Sequence, residues 1–273
     1  MIQLGERGTL VTQSEVAANE SPRPYLHPLL DAAGRPLTDF RPADHPWHHA
    51  LSVAIPIVRF EGNDRPITFW GGPTFVRDRG YQDLGNHGSQ VVVGEHESTL
   101  ELEWRDEHGG LVLREAREHR VVDIDAQTWG LGVTSTWRAD STLTFGSPAT
   151  EGRANAGYGG LFLRAAPRFT GATAMRADGA VGQSEAMGAA GRWCGLVKPD
   201  EGTIVMAAAP DSASTAGPWF VRSEPVPMLC FAPFFHEEWT LAAGARVSWR
   251  WWVVSATDEL DAASIDRIVD SLG

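Results

Sequence analysis

The sequence predicts an all-β fold, a large antiparallel β-sandwich with one short C-terminal helix. Three observations carry this prediction. Apolar and polar residues alternate with period two from about Gln90 onward, turn residues interrupt that alternation at strand-length intervals, and helical spacing is confined to the last dozen residues.

In order along the chain, Leu100, Leu102 and Trp104 alternate with Glu101, Glu103 and Arg105. The turn Asp106-Glu107-His108-Gly109-Gly110 follows and 111–125 continues as a second long strand, which makes a hairpin. Strands are expected at 129–137 and 160–165, and the Gly- and Ala-rich stretch 172–191 reads as a long loop over a sheet face. A second hairpin spans 193–208, where Lys198-Pro199-Asp200-Glu201-Gly202 joins two apolar arms, and further strands fall at 228–234 and 246–254. In the last strand Val247, Trp249, Trp251 and Val253 face one way, and Ser248, Arg250, Trp252 and Val254 the other. Apolar residues on both faces imply a sheet covered on both sides. Ile265, Ile268, Val269 and Leu272 then follow helical spacing after a cap at Asp261. No fixed-period repeat or long linker divides the chain, so 1–273 is expected to be a single domain.

Composition excludes several function classes. The 273 residues include 23 Lys+Arg and 35 Asp+Glu, a formal net charge of −12, which repels a phosphate backbone, so no nucleic acid is expected as partner. No apolar run approaches the roughly 20 residues of a membrane-spanning helix, and the N-terminus has no apolar signal core. A cytoplasmic protein without a membrane partner is therefore expected. Cys194 and Cys230 fit neither a disulfide framework nor a CxxC metal spacing and read as buried, reduced thiols. Walker A, GxGxxG and GxSxG sequences are absent, so no nucleotide cofactor is expected. Sheet edges can pair between subunits, which leaves a homodimer open.

The densest chemical cluster is Asp44-His45-Pro46-Trp47-His48-His49, preceded by Arg23-Pro24-Tyr25-Leu26-His27-Pro28. An extended chain puts His45 and His49 on one face, and a helical turn pairs His45 with His48 or His49. Such a pair can hold a divalent metal with one further ligand, the candidates being His27, His45, His48 and His49, with Asp44 orienting an imidazole. Alternatively one histidine serves as a general acid or base, its tautomer fixed by a carboxylate. The plain structural alternative is loop histidines satisfied by backbone carbonyls.

Other patches carry the same two readings. His87 lies in the turn Leu84-Gly85-Asn86-His87-Gly88, which can present an imidazole to a cleft. Glu151 and Arg153 share one loop, as a site or as a surface ion pair. In Phe234-Phe235-His236-Glu237-Glu238-Trp239, Glu238 stands among aromatics, where desolvation raises a carboxyl pKa, or on a solvated acidic edge. HExxH is not matched, because Thr240 stands where the second histidine belongs.

The paired segments Arg23-Pro24-Tyr25-Leu26-His27-Pro28-Leu29 and Asp44-His45-Pro46-Trp47-His48-His49-Ala50-Leu51 resemble the bacterial family labelled PmoA-like. The resemblance extends through Thr68-Phe69-Trp70-Gly71-Gly72 and Gly160-Leu161-Phe162-Leu163-Arg164. It implies a supersandwich like that of galactose mutarotase, a fold found with sugar oxidoreductases and isomerases; methane oxidation is not implied for a chain without a membrane span. In mutarotase-like enzymes a histidine and a carboxylate flank a sugar ring, which maps here to His48, with His27 beside it, and to Glu238 or Glu151. The expectation is an enzyme of sugar catabolism with a small-molecule carbohydrate substrate, of epimerase, lyase or hydrolase type. Tyr25, Trp47, Trp70, His87 and Arg153 would position the ring. A metal-dependent enzyme built on the histidines and a non-catalytic carbohydrate-binding sandwich are the alternatives.

Overall fold

The computed structural model describes residues 1–179, 182–210, 213 and 217–273. Two large antiparallel sheets dominate. One has seven strands, in the order Ile2–Gln3, Gly8–Val11, Tyr25–Leu29, Leu51–Ala54, Gly160–Arg164, Met228–Phe231 and Trp219–Arg222. The other has eight, in the order Thr173–Arg176, Trp193–Lys198, Gly202–Ala208, Arg246–Ala256, Thr128–Arg138, Leu111–Asp123, Thr99–Arg105 and Ser89–His96. The all-β sandwich and the helix Ala262–Leu272 agree with the sequence reading.

The expected hairpins form where turn chemistry demands. Asp106 Oδ1 accepts from the amides of His108 at 2.9 Å and Gly110 at 2.7 Å, an Asx turn that reverses the chain into Leu111–Asp123. Between 172 and 191 the loop expectation is corrected in part. Thr173–Arg176 is an edge strand paired with Trp193–Lys198 and Gln183–Ala186 is one helical turn, while Ala180 and Val181 lie outside the described residues. The short apolar pairing segment Thr173-Ala174-Met175 was hidden by its Gly-rich flanks.

One core fills the space between the sheets. Leu51, Val53, Leu161, Leu163, Leu229 and Phe231 from the first meet Leu131, Val133, Met206, Trp249, Trp251 and Val253 from the second. A charged strut crosses this core. Arg117 Nε donates to Glu115 Oε1 at 2.7 Å, and Ser135 Oγ and Trp104 Nε1 donate to the same carboxylate at 2.5 and 2.7 Å. Arg117 Nη2 also reaches Gln90 Oε1 at 2.8 Å, and Gln90 Nε2 reaches the Val53 carbonyl of the opposite sheet at 2.8 Å. Full pairing is what makes ions tolerable there.

The far face of the eight-stranded sheet is covered by the C-terminal helix. Asp261 caps it, accepting from the Ser264 amide at 2.7 Å, and Ile265 and Val269 pack on Trp193, Val205, Trp252 and Val254. Trp252 and Val254, on the face turned away from the core between the sheets, are buried beneath the helix, as apolar residues on both faces of the strand implied. Ile265→Ala removes buried methylenes from this contact and is expected to lower stability by about 3 kcal/mol, read by denaturant unfolding. Because two sheets separate the helix from the opposite face, tryptophan emission from that face should be unchanged in the folded variant.

Candidate functional site

Strand alternation decides what the outer face of the seven-stranded sheet carries. With Leu51, Val53, Leu161, Leu163, Leu229 and Val221 turned to the core, Ser52, Ala54, Phe162, Arg164, Met228, Cys230, Phe220 and Arg222 point outward. Loops from the N-terminal half of the chain cover part of this face. Between them lies a cavity of ≈ 290 Å³, lined by His45, Trp47, His48, Trp70, Gly71, Pro73, Tyr81, Arg153, Tyr158, Phe220, Arg222 and Met228.

A buried arginine fixes the covering loops. Arg23 Nη1 donates to the carbonyls of Glu20 (3.2 Å), Ser21 (3.0 Å) and Trp70 (3.1 Å), Nη2 to that of Trp47 (2.9 Å), and Nε to Ser52 Oγ on the sheet (3.1 Å). Burial above all, with the nearby Arg117 charge, pulls its pKa down to about 9 against the opposing pull of Glu20, so it remains a cation at neutral pH. Trp47 then lies against glycine backbone. Gly71 (φ +93°) and Gly72 (φ +67°) adopt left-handed conformations, and a Cβ on Gly72 would sit 2.5 Å from the Trp47 ring. His87 Nε2–H donates to the Gly72 carbonyl at 2.9 Å and so holds this turn from behind.

Two histidines share the cavity in different roles. Arg164 Nη1 donates to His48 Nδ1 at 3.1 Å, which leaves the proton of this ring on Nε2. Burial first, then His45 when it carries a proton and the charges of Arg164 and Arg23, hold the His48 pKa well below its usual value, so the imidazole is neutral. His45 Nδ1–H donates to Asp44 Oδ2 at 2.7 Å, so in the neutral ring Nε2 is the nitrogen that carries the lone pair. The two rings stack, with centroids 4.6 Å apart and planes 17° from parallel. Arg164 Nη2 also grips both Asp44 oxygens, at 3.1 and 3.2 Å. Burial opposes the Asp44 charge, but the hydrogen bond from His45 and the charge and hydrogen bond of Arg164 together outweigh it, and the carboxyl sits below its ordinary range. One guanidinium thus presents a hydrogen-bond donor from His48 and, through Asp44, a proton acceptor from His45.

The opposite wall is aromatic and cationic. The Tyr81 and Tyr158 hydroxyls are 2.8 Å apart, Trp70 packs on Tyr158 at 4.5 Å, and Arg153 donates to the Tyr81 hydroxyl while lying 4.7 Å from its ring centroid. Burial, reinforced by Tyr81, raises the Tyr158 pKa well above its usual value and keeps the phenol protonated.

Of the residues singled out from the sequence, His45, His48, Trp47, Trp70 and Arg153 meet in this cavity, and His87 supports it from outside. The others are elsewhere. Glu151 and Glu238 meet each other rather than His48: Arg59 Nη2 binds Glu151 at 2.7 Å and Nη1 binds Glu238 at 2.9 Å, beside a separate cleft. Tyr25 stacks on Phe40 at 4.3 Å, and His27 Nδ1 pairs with Thr38 Oγ1 at 2.9 Å. His49 is buried with Nε2 toward Glu20 at 3.4 Å; burial and the charges of Arg23 and Arg41 push its pKa down to about 2. The metal set of His27, His45, His48 and His49 is therefore not assembled, and among the described residues no three His, Cys, Asp or Glu side chains are grouped to hold a metal ion. Tyr81, Tyr158, Phe220, Arg222 and Met228 were not foreseen. The only signal for the last three was their shared strand parity, which is informative once the sheet face is known.

Fold and site together define an all-β sandwich protein with a cavity on the outer face of one sheet. The chain belongs to the family of unknown function DUF6807, whose model matches residues 3–270. The family model that matches does not carry the PmoA-like label that the histidine motifs resemble. No curated protein matches the chain. Among solved structures it is similar to a polysaccharide lyase, with TM-score 0.42 and 8% identity over 100% of this chain and 35% of that one. A GH36 α-galactosidase from Geobacillus stearothermophilus in complex with raffinose gives TM-score 0.37 and 11% identity over 78% of this chain and 30% of that one. Heparan sulfate lyase HepC from Pedobacter heparinus gives 0.29 and 7% over 75% and 24%. The chain spans only about a third of the length of these proteins, or less. No helix among the described residues is long and apolar enough to cross a membrane.

Arg23→Met strips the donor from four carbonyls, three of them in buried hydrogen bonds, and is expected to cost about 3 kcal/mol or more, seen in denaturant unfolding, with altered indole emission as Trp47 and Trp70 loosen. His48, His49 and His119 are all neutral through burial, His49 down to about 2 and His119 to about 3, whereas unfolded histidine titrates near about 6.5. Below that pH the unfolded chain binds protons that the folded chain refuses, so stability falls as pH drops from about 6.5 and these groups add no slope above it. Burial, with the Arg117 charge, is what holds the His119 pKa down, so His119→Leu should flatten that slope in unfolding measured between about pH 6.5 and 5.

Proposed function

We propose that the cavity is the active site of a carbohydrate-processing enzyme that removes a proton from a sugar carbon next to a carbonyl or carboxyl group. The observation that carries this reading is the pair of stacked imidazoles set to opposite roles by Arg164. His45 Nε2, backed by Asp44, takes the proton, and the C–H electron pair becomes the C=C bond of an enediolate. His48 Nε2–H donates to the oxygen on which charge accumulates. A neutral imidazole is the better donor for this task, because it stabilises the oxyanion without surrendering its proton. A proton delivered from water to the other face of the carbon gives an epimer, with the first proton passing from His45 to solvent; departure of a substituent from the next carbon gives an unsaturated sugar and is lyase chemistry.

The surrounding walls suit such a substrate. Trp47, Trp70 and Tyr158 offer rings for the apolar face of a pyranose, and Arg153 and the tyrosine hydroxyls offer hydrogen bonds to its oxygens. The carboxylate complement of the histidines is Asp44 in this reading, in place of Glu238 or Glu151.

Incubation with a panel of aldoses, ketoses and sugar acids in heavy water, followed by NMR, tests the proposal. Deuterium should appear at one carbon, or a new alkene proton should form, and His45→Asn and His48→Phe should each slow that signal by roughly 100-fold while the protein stays folded. A sugar that binds and returns with every C–H bond intact would remove the catalytic reading.

A further inference from the structure

We infer that the substrate carries an anionic group, carboxylate or phosphate, which is received by Arg153 and Arg222 at the Tyr158 end of the cavity. This rests on the sugar reading above and adds the charge of the ligand to it. The first observation is a contrast within the chain. With 35 acidic residues against 23 basic ones, carboxylates are plentiful, and other arginines take them: Arg164 holds Asp44, Arg41 holds Glu20, and Arg59 holds both Glu151 and Glu238. Arg153 and Arg222 have no carboxylate partner among the described residues, and no Asp or Glu lines the cavity.

The acids nearest them in sequence are turned away. Glu151 is bound to Arg59, and Glu224 has its Oε1 3.4 Å from where a Cβ on Gly171 would be. Both guanidiniums are instead laid on aromatic rings, Arg153 at 4.7 Å from the Tyr81 centroid and Arg222 at 5.4 Å from that of Phe220. A ring fixes the plane of a guanidinium and leaves most of its N–H donors unused, the arrangement suited to bidentate recognition of a planar or tetrahedral oxyanion.

The Tyr158 phenol lies near enough to both that their charges act on it, and its hydroxyl is paired with that of Tyr81 at 2.8 Å. In an acidic protein two uncompensated cations in one cavity also concentrate anions locally. The volume of ≈ 290 Å³ sits at the small end of ligand pockets and matches one sugar unit.

Titration calorimetry with the full chain at low salt tests this, using D-glucuronate, D-galacturonate, glucose 6-phosphate and neutral glucose and galactose as probes. At least one acidic sugar should bind about tenfold or more tightly than its neutral counterpart, with the advantage shrinking as salt is raised. Whether a uronate or the sugar phosphate wins distinguishes the two sources of the charge. Arg153→Gln and Arg222→Gln should each erase most of that advantage while thermal unfolding stays unchanged. Neutral sugars binding as well as acidic ones would overturn the inference and leave the sugar reading intact. Acetate and inorganic phosphate matching the acidic sugars, with Trp47→Ala without effect, would overturn the sugar reading, and with it the claim that the anion belongs to a sugar. Binding of none of the probes would overturn both.

Discussion

The cavity depends on one buried cation. Trp47 and Trp70 belong to loops, which lack the ladder of hydrogen bonds that fixes a strand, and Arg23 gives both a common anchor by binding their carbonyls together with Ser52 of the sheet. Burying a guanidinium is costly in itself. Here the cost is offset by saturating its donors with carbonyl oxygens and by the nearby Glu20 carboxylate, which Arg41 in turn holds in place at 2.6 and 2.8 Å. Because one group ties both loops to one strand, the two indoles cannot move independently, and the aromatic side of the cavity is set before any ligand arrives.

Arg164 plays the complementary part on the polar side. Histidine alone is ambiguous between acid and base near neutral pH, and ambiguity is costly in a site that needs one of each. A guanidinium can only donate, so whichever ring nitrogen it meets must accept; at His48 this decides the tautomer, and at Asp44 it secures the carboxylate that decides the tautomer of His45. The low polarity around Phe162 and Trp70, 4.9 and 5.7 Å from the His48 ring, strengthens each of these hydrogen bonds.

How much of this was legible in the sequence varied with the range of the interactions involved. The hairpin around Asp106, the alternation in Arg246–Ala256 and the capped helix after Asp261 are local, and period and turn chemistry revealed them. The short strands Leu51–Ala54 and Ile57–Phe60 have four residues each and are too brief to show a period. At the site, residue type and clustering brought forward His45, His48, Trp47 and Trp70. They said nothing about direction: His48 and His49 are adjacent, yet one faces the cavity and the other Glu20. Glu238 drew notice for its aromatic neighbours, but Arg59, 179 positions away, claims it. Tyr81 and Tyr158, 77 positions apart, form a pair that only the folded chain creates.

The wall formed by Trp47 against Gly71 and Gly72 also bears on how ligand preference can drift. Neither glycine can acquire a side chain without displacing the indole or meeting the Glu20 carbonyl, 2.5 Å from where a Cβ on Gly71 would stand. Evolutionary remodelling is thereby channelled to the other rim, where Phe220, Arg222 and Met228 project from strands and can be exchanged one at a time over an unchanged backbone. Family members that handle different compounds are therefore expected to differ in those rows and to keep the two glycines.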